Sequence, residues 1–256
     1  MQVISIANHK GGTGKTATAR ALGDYLAAAG HRVLLVDLDP QASLTMSCGL
    51  RDPVSPSMVE VIGGANPGNK TISQVIKPVA DRLALAPANL DLAGVELGLA
   101  SRLGREYILA RALQDLKGYD LVLVDCPPSI SLLVVNAIVA SNGVLIPTQP
   151  SPVDVAGVRR FIDTVERVRA NLSTEVQIMG ILPTFYDRRY NTHQAALEAM
   201  TKAGWPVIKT PIGRSVRIAE AAAVGQSVIT YEPGNPQADN YSKVGKEIEI
   251  WLKRTK

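Results

Sequence analysis

The sequence predicts an α/β fold, a doubly wound and largely parallel sheet with helices on both faces. Three observations point to it. Runs such as Val33-Leu34-Leu35-Val36 and Leu121-Val122-Leu123-Val124 are apolar without polar alternation, as strands are when helices cover both faces of a parallel sheet. These runs alternate along the chain with segments of helical period. The first of them, Val3-Ile4-Ser5-Ile6-Ala7-Asn8, leads into a glycine-rich loop and then a helical pattern from Thr18 onward.

In chain order, the first strand is expected at 3–8 and the first helix at 15–29, where alanines and leucines follow the loop. A second strand, 33–38, ends in two carboxylates. The stretch from Leu50 to Asn69, rich in Pro, Gly and Ser, interrupts the alternation and reads as a mobile, passive excursion over the surface. Beyond it the alternation predicts helices at 70–77, 92–117, 130–141, 154–171, 192–203, 215–224 and 240–253. The intervening strands fall at 83–87, 121–125, 143–148, 178–184 and 207–210. No low-complexity linker divides the 256 residues, so residues 1–256 are expected to form one domain.

Between the first strand and helix lies His9-Lys10-Gly11-Gly12-Thr13-Gly14-Lys15-Thr16. From Gly11 this is the C-terminal half of the signature in which backbone N–H groups and a helix N-terminus cradle nucleotide phosphates. Lys15 then sits on the β- and γ-phosphates and the Thr16 hydroxyl on Mg²⁺, with Gly11, Gly12, Thr13, Gly14 and Ala17 completing the cradle. The first glycine of the ordinary motif is replaced by His9, and a second lysine, Lys10, stands just before the glycines. A bare glycine loop is often a plain turn; the flanking strand and helix argue against that here.

Two carboxylate elements support the loop. Val33-Leu34-Leu35-Val36-Asp37-Leu38-Asp39-Pro40-Gln41 and Leu121-Val122-Leu123-Val124-Asp125-Cys126-Pro127-Pro128 both end a buried strand in Asp. Ligands of open parallel sheets bind beyond the carboxyl ends of the strands, where Asp37, Asp39 and Asp125 fall. There a carboxylate orients Mg²⁺ or its waters, or positions an attacking water. A turn or helix cap is the plainer task for either element taken alone.

The loop resembles the deviant Walker A motif of the ParA/MinD superfamily, whose signature lysine, matched here by Lys10, reaches across a dimer interface to the partner's phosphates. The resemblance implies ATP and Mg²⁺ as ligands, Asp125 as the Walker B aspartate, Asp39 as the water-positioning residue and Asp37 as support for the Mg²⁺ shell. Lys10, Lys15 and Asp39 are then the catalytic set. Ile181-Leu182-Pro183-Thr184-Phe185-Tyr186-Asp187-Arg188-Arg189-Tyr190-Asn191 and Thr210-Pro211-Ile212-Gly213-Arg214-Ser215-Val216-Arg217 resemble the segments that flank the base and the DNA-binding face in chromosomal ParA (Soj) proteins. They imply adenine contacts around Pro211 and Ile212 and DNA contacts at Arg188, Arg189 and Arg217. A ParA-type ATPase is expected to be an ATP-dependent homodimer that binds DNA non-specifically and answers to a ParB-like activator or cargo adaptor. Its turnover is expected to be slow without that activator.

Composition bounds the alternatives. Hydrophobic residues make up 46%, charged residues 20% and aromatics 4%, so the core is aliphatic. No run of about eighteen apolar residues and no basic-then-apolar leader occurs, so no membrane span or signal peptide is expected, and the protein is placed in the cytoplasm, associated with the nucleoid. A net charge of +4 is compatible with a polyanion without demanding one. The phosphate loop begins so near Met1 that no helix-turn-helix is expected before it, and operator-specific binding is not anticipated. Val244, Ile248, Trp251 and Leu252 share one face of the last helix, as in the MinD-like membrane anchors that supply the alternative reading; Glu247 and Glu249 favour a helix docked on the sheet. The two cysteines, Cys48 and Cys126, form no C-x-x-C pair and do not match the cluster ligands of iron–sulfur relatives such as the nitrogenase iron protein.

Overall fold

The computed structural model describes residues 1–51, 53–63 and 70–254. Strands β1 (Gln2–Ile6), β2 (Val33–Asp37), β3 (Lys77–Ala80), β4 (Leu83–Ala86), β5 (Leu121–Asp125), β6 (Gly143–Thr148) and β7 (Gln177–Pro183) form one sheet in the order β3-β4-β2-β5-β1-β6-β7. All neighbouring pairs are parallel except β3 with β4. The helices are α1 (Lys15–Ala28), α2 (Ser43–Ser47), α3 (Met58–Ile62), α4 (Ile72–Val75), α5 (Leu92–Gly98) and α6 (Ile108–Gln114) in the first half. The second half carries α7 (Leu132–Ala140), α8 (Pro152–Asn171), α9 (Asn191–Lys202), α10 (Val216–Ala223), α11 (Val228–Tyr231) and α12 (Pro236–Arg254).

The apolar strands do what their sequence requires. Val33 and Leu35 of β2 join Leu22 and Leu26 of α1 and Val244 and Ile248 of α12 on one face, whereas Leu34 and Val36 join Leu133 of α7 and Phe161 of α8 on the other. Both faces are thus dry, which is why these strands lack polar alternation. Register places Asp37 opposite Asp125, and Asp125 opposite Ile6, so three strands end at one level below the phosphate loop.

Several expected elements differ. The helix expected at 70–77 is confined to α4, and Lys77–Ala80 is an antiparallel edge strand, where Pro78 costs no ladder donor. The long helix expected at 92–117 breaks between α5 and α6 around Gly104, whose φ is 65°. Residues 207–210 make only an isolated bridge, Val207 to Ile181, because Pro206 and Pro211 on either side lack N–H donors. The Leu50–Asn69 stretch is not wholly a surface excursion: α3 lies within it, capped by a Ser57–Glu60 capping box, with Met58 and Ile62 fully buried. Residues 64–69 of that stretch lie outside the described residues.

The terminal helix begins at Pro236, earlier than expected, and its apolar face is covered: Tyr241, Val244, Ile248 and Leu252 are buried against the sheet and α1. Gly245 lets α12 approach α1 so closely that a Cβ there would lie 2.1 Å from the Tyr25 ring. No helix among the described residues is long and apolar enough to cross a membrane.

Candidate nucleotide and metal site

The loop after β1 turns sharply at Gly12 and Gly14, with φ of 70° and 83°, before α1 starts at Lys15. L side chains rarely adopt those angles, which explains both glycines. The Thr184 hydroxyl at the end of β7 donates to the Thr13 carbonyl at 2.9 Å, anchoring the loop to the sheet. His9, standing where the ordinary motif has glycine, stacks over Phe161 of α8 at 6.5 Å. Gly157 makes room for it, since a Cβ there would be 2.8 Å from His9 Cε1. Burial, and next the Arg160 charge, lower the His9 pKa, against the opposing pull of Asp154.

The two lysines of the loop are deployed differently. Lys15 is buried and its Nζ donates to the Lys10 carbonyl at 3.1 Å, curling over its own loop. Burial lowers its pKa, against the opposing pull of Asp125, Cys126 and Asp39. The Lys10 side chain leaves the loop, 44% exposed, and its Nζ meets Asp154 Oδ1 at 2.7 Å. Asp154 is buried in the first turn of α8, where Ser151 caps the helix and donates through Oγ to Asp154 Oδ2 at 2.6 Å. Sequence reasoning missed Asp154; the Ser-Pro-x-Asp helix start was legible, but not its proximity to a lysine 144 residues away.

The carboxylates gather at the strand ends. Thr16 Oγ1 donates to Asp125 Oδ2 at 2.7 Å, whereas the buried Asp125 Oδ1 has no hydrogen-bond partner. Burial, and next repulsion from Asp37, raise the Asp125 pKa well above the usual carboxylate range. Burial likewise pushes Asp37 up to about 6, although donors from Thr45 and Asp39 oppose the shift. Asp37 spends its oxygens on the chain that follows β2: Oδ2 accepts the N–H and hydroxyl of Thr45 in α2, both at 2.8 Å, and Oδ1 accepts the Asp39 N–H at 3.0 Å. It therefore shapes the turn that carries Asp39, and any part it has in the Mg²⁺ shell would be as support through that turn. Asp39, half-buried, lines the cavity beyond the loop and accepts the Gln41 N–H at 2.9 Å.

These features fit a Mg²⁺ nucleotide. An orphaned, buried carboxylate oxygen beside a threonine hydroxyl is what a hard cation with oxygen ligands would satisfy. The cavity beside the loop measures about 480 Å³ and is lined by Gly11, Gly12, Thr13, Gly14, Lys15, Thr16 and Ala17 on one side. Phe185, Ile212, Gly213, Ile218, Ala219 and Ala222 supply an apolar wall on the other, where a flat ring can lie. Ile212 is there as expected; Pro211 is not among the lining residues, and its carbonyl is held instead by Asn240 Nδ2 at 3.1 Å. The contribution of α10 was not anticipated, because Ile218, Ala219 and Ala222 carry no chemical signature in sequence.

The basic residues do not form one free face. Arg189 is paired with Asp187 at 2.6 Å, and Arg217 with Glu220 at 2.7 Å and Glu232 at 3.4 Å. Arg188 is exposed, and Arg214 lies over the Phe185 ring at 5.8 Å. A Tyr186–Gly213 bridge joins the two loops that hold these residues. Burial raises both thiols, Cys48 to about 12 and Cys126 further.

A family model described as an AAA domain matches residues 1–178. The chain is 36% identical to the chromosome partitioning protein ParA of Caulobacter vibrioides, over 97% of this chain and 94% of that protein. It is 40% identical to the chromosome-partitioning ATPase Soj of Thermus thermophilus, over 96% and 94% of the two chains. A solved cobyrinic acid a,c-diamide synthase from Mycobacterium smegmatis, with a bound ATP analogue and magnesium, matches with a TM-score of 0.86 at 33% identity, over 100% of this chain and 97% of that one. Identity of this order along nearly the whole chain, with the double-lysine loop intact, means that the chain belongs to the ParA/Soj family of partition ATPases.

Proposed function

We propose that this ATPase is a dimerising switch: with ATP and Mg²⁺ bound, two copies close on each other, bind DNA without regard to sequence, and segregate or position a DNA or protein cargo. The observation that carries this reading is the division of labour between the two lysines. Lys15 serves its own loop, while Lys10 projects from it on a half-exposed side chain that a second subunit's phosphates could engage. Lys10 would have to leave Asp154 to do so.

In this scheme the backbone N–H groups of residues 11–17 and the N-terminus of α1 hold the phosphates. Thr16 and Asp125 would hold Mg²⁺, which would supply charge neutralisation on the transferring phosphoryl group. Lys15, and Lys10 from the partner, add positive charge to the same oxygens, and Asp39 orients the attacking water. Closing the dimer before hydrolysis makes ATP an assembly ligand, and loss of the γ-phosphate contacts releases the dimer. A ParB-like activator or cargo adaptor would complete the site and accelerate a slow basal turnover.

Arg188, Arg189 and Arg217 are the proposed DNA contacts, doubled in the dimer. Phosphates must compete with Asp187, Glu220 and Glu232 for two of them, so Arg188 is the least encumbered. Such a protein would sit on the nucleoid in the cytoplasm. The membrane-anchored alternative draws no support from α12, whose apolar face is already covered.

The test is fluorescence anisotropy of a non-specific DNA duplex with ATP·Mg²⁺, with ADP and without nucleotide, at several salt concentrations. Binding that requires ATP and weakens steeply with salt is the expected result; no binding in any state would overturn the DNA-tethered switch.

A further inference from the structure

Arg20 lies one turn into α1 beyond the phosphate loop, and it is buried, with Asp24 as its ion-pair partner at 2.5 Å and side-chain exposures of only 6% and 5%. Two further donors reach backbone carbonyls, while Nη1, which faces Asp24, makes no hydrogen bond of good geometry. Nε donates to Ser47, the last residue of α2, at 3.2 Å, and Nη2 to Gly225, in the turn after α10, at 3.4 Å. One guanidinium therefore ties three helices together. Beside it the two turns touch backbone to backbone: a Cβ on Gly225 would lie 2.8 Å from the Gly49 Cα.

The helices so joined belong to opposite sides of the cavity. On the metal side, α2 hangs from Asp37 through Thr45 and follows directly on the turn that presents Asp39. On the base side, α10 contributes Ile218, Ala219 and Ala222 to the apolar wall. A buried ion pair is a weak source of stability, because desolvating both charges offsets their attraction, and apolar residues of similar size commonly replace such pairs without loss. What it supplies is a fixed geometry: a planar fork has few ways to satisfy a carboxylate and two carbonyls at once.

We propose that Arg20, held by Asp24, is a positioning residue that registers α2 against α10, so that a nucleotide seated on the α10 wall sets the position of Asp39. This rests on the nucleotide reading of the cavity given above. Arg20 also lines the cavity; in this scheme its effect on Asp39 runs through the two carbonyls, and the ATP affinity of the variants separates that from a direct contact with the nucleotide. Movement of α10 on ligand entry would be carried by Gly225 to the guanidinium and by Ser47 to α2, a contiguous chain of contacts.

The experiment compares the full-length protein with the paired variant Arg20→Met/Asp24→Leu, which removes both charges and leaves apolar side chains in their place, and with Arg20→Lys. Hydrogen–deuterium exchange is followed at 43–49 and 216–225 with and without ATP·Mg²⁺, alongside ATP affinity and steady-state turnover. In the unmodified protein ATP·Mg²⁺ is expected to slow exchange in both segments. In the paired variant the slowing persists at 216–225 and is lost at 43–49, with kcat down about tenfold and ATP affinity within about threefold. Arg20→Lys, which keeps the charge and cannot span both carbonyls, falls between, and it carries the comparison should the paired variant not fold. Slowing of both segments in the variants, with unchanged kcat, overturns the proposal. So does slowing at 216–225 without slowing at 43–49 in the unmodified protein. Absence of slowing at 216–225 in the unmodified protein overturns the cavity reading, and the proposal with it.

Discussion

Lys10 makes the 2.7 Å contact with a buried carboxylate that it would surrender on dimerisation. Lys10→Ala should therefore have two separable effects. ATP affinity should fall by no more than a few fold while the ATP-dependent dimer disappears from light scattering; a normal dimer would remove the cross-subunit role. Asp154 would also lose its cation, at a cost of about 1 kcal/mol, modest because Lys10 is half-exposed and Ser151 still bonds the carboxylate. A second prediction concerns pH. Asp37 holds its proton to about 6 when folded, against an ordinary 3.8, so the folded chain binds more protons in that window and its stability falls as pH rises through it. Asp125, raised by burial as well, adds to the same trend. Nucleotide-free protein should thus lose Tm between pH 4 and 6, and ATP·Mg²⁺ should raise Tm more at pH 7.5 than at pH 5. Asp125→Asn should raise the nucleotide-free Tm at pH 7.5, by calorimetry; a lower Tm would mean that the orphaned oxygen is not a source of strain.

Among the elements, α12 offers the plainest test of packing. Ile248→Ala removes a fully buried side chain between α12 and the sheet, and about 2–4 kcal/mol of unfolding free energy should go with it in chemical denaturation. A loss below about 0.5 kcal/mol would mean that the helix is not seated there. The same scale shows why sequence revealed some elements and hid others. β1, β2 and β5, with the phosphate loop, were legible because their apolar runs, glycines and terminal carboxylates are neighbours in the chain. β3 was hidden because a four-residue edge strand containing Pro78 has neither strand nor helix period. The break between α5 and α6 was hidden because the apolar pattern continues across residues 99–107 while Gly104 takes a positive φ. Asp154, Arg20 and the α10 wall escaped for a further reason: each gains its meaning from a contact across more than twenty residues of chain.

At the scale of the whole molecule, the proposed binding to DNA is a question of charge. Two of the three arginines assigned to DNA are already neutralised locally, so their reversal should act less by lost attraction than by added repulsion. Arg188→Ala should lower the slope of log affinity against log salt by about 1 per subunit while leaving the ATP dimer intact, read by anisotropy and light scattering. An unchanged slope would return Arg188 to the ordinary solvated surface. The sheet also has two ends, and they bear on how copies meet. β7 is flanked by the 206–208 segment, which takes the β7 hydrogen bonds at Ile181. β3, at the far edge, has a proline in its four residues and an irregular register with β4. Neither edge offers an uninterrupted row of amides to a neighbouring molecule. Lateral stitching into a continuous β-ribbon is thereby discouraged, which suits the proposed switch, whose copies would meet through the ATP-bound face alone.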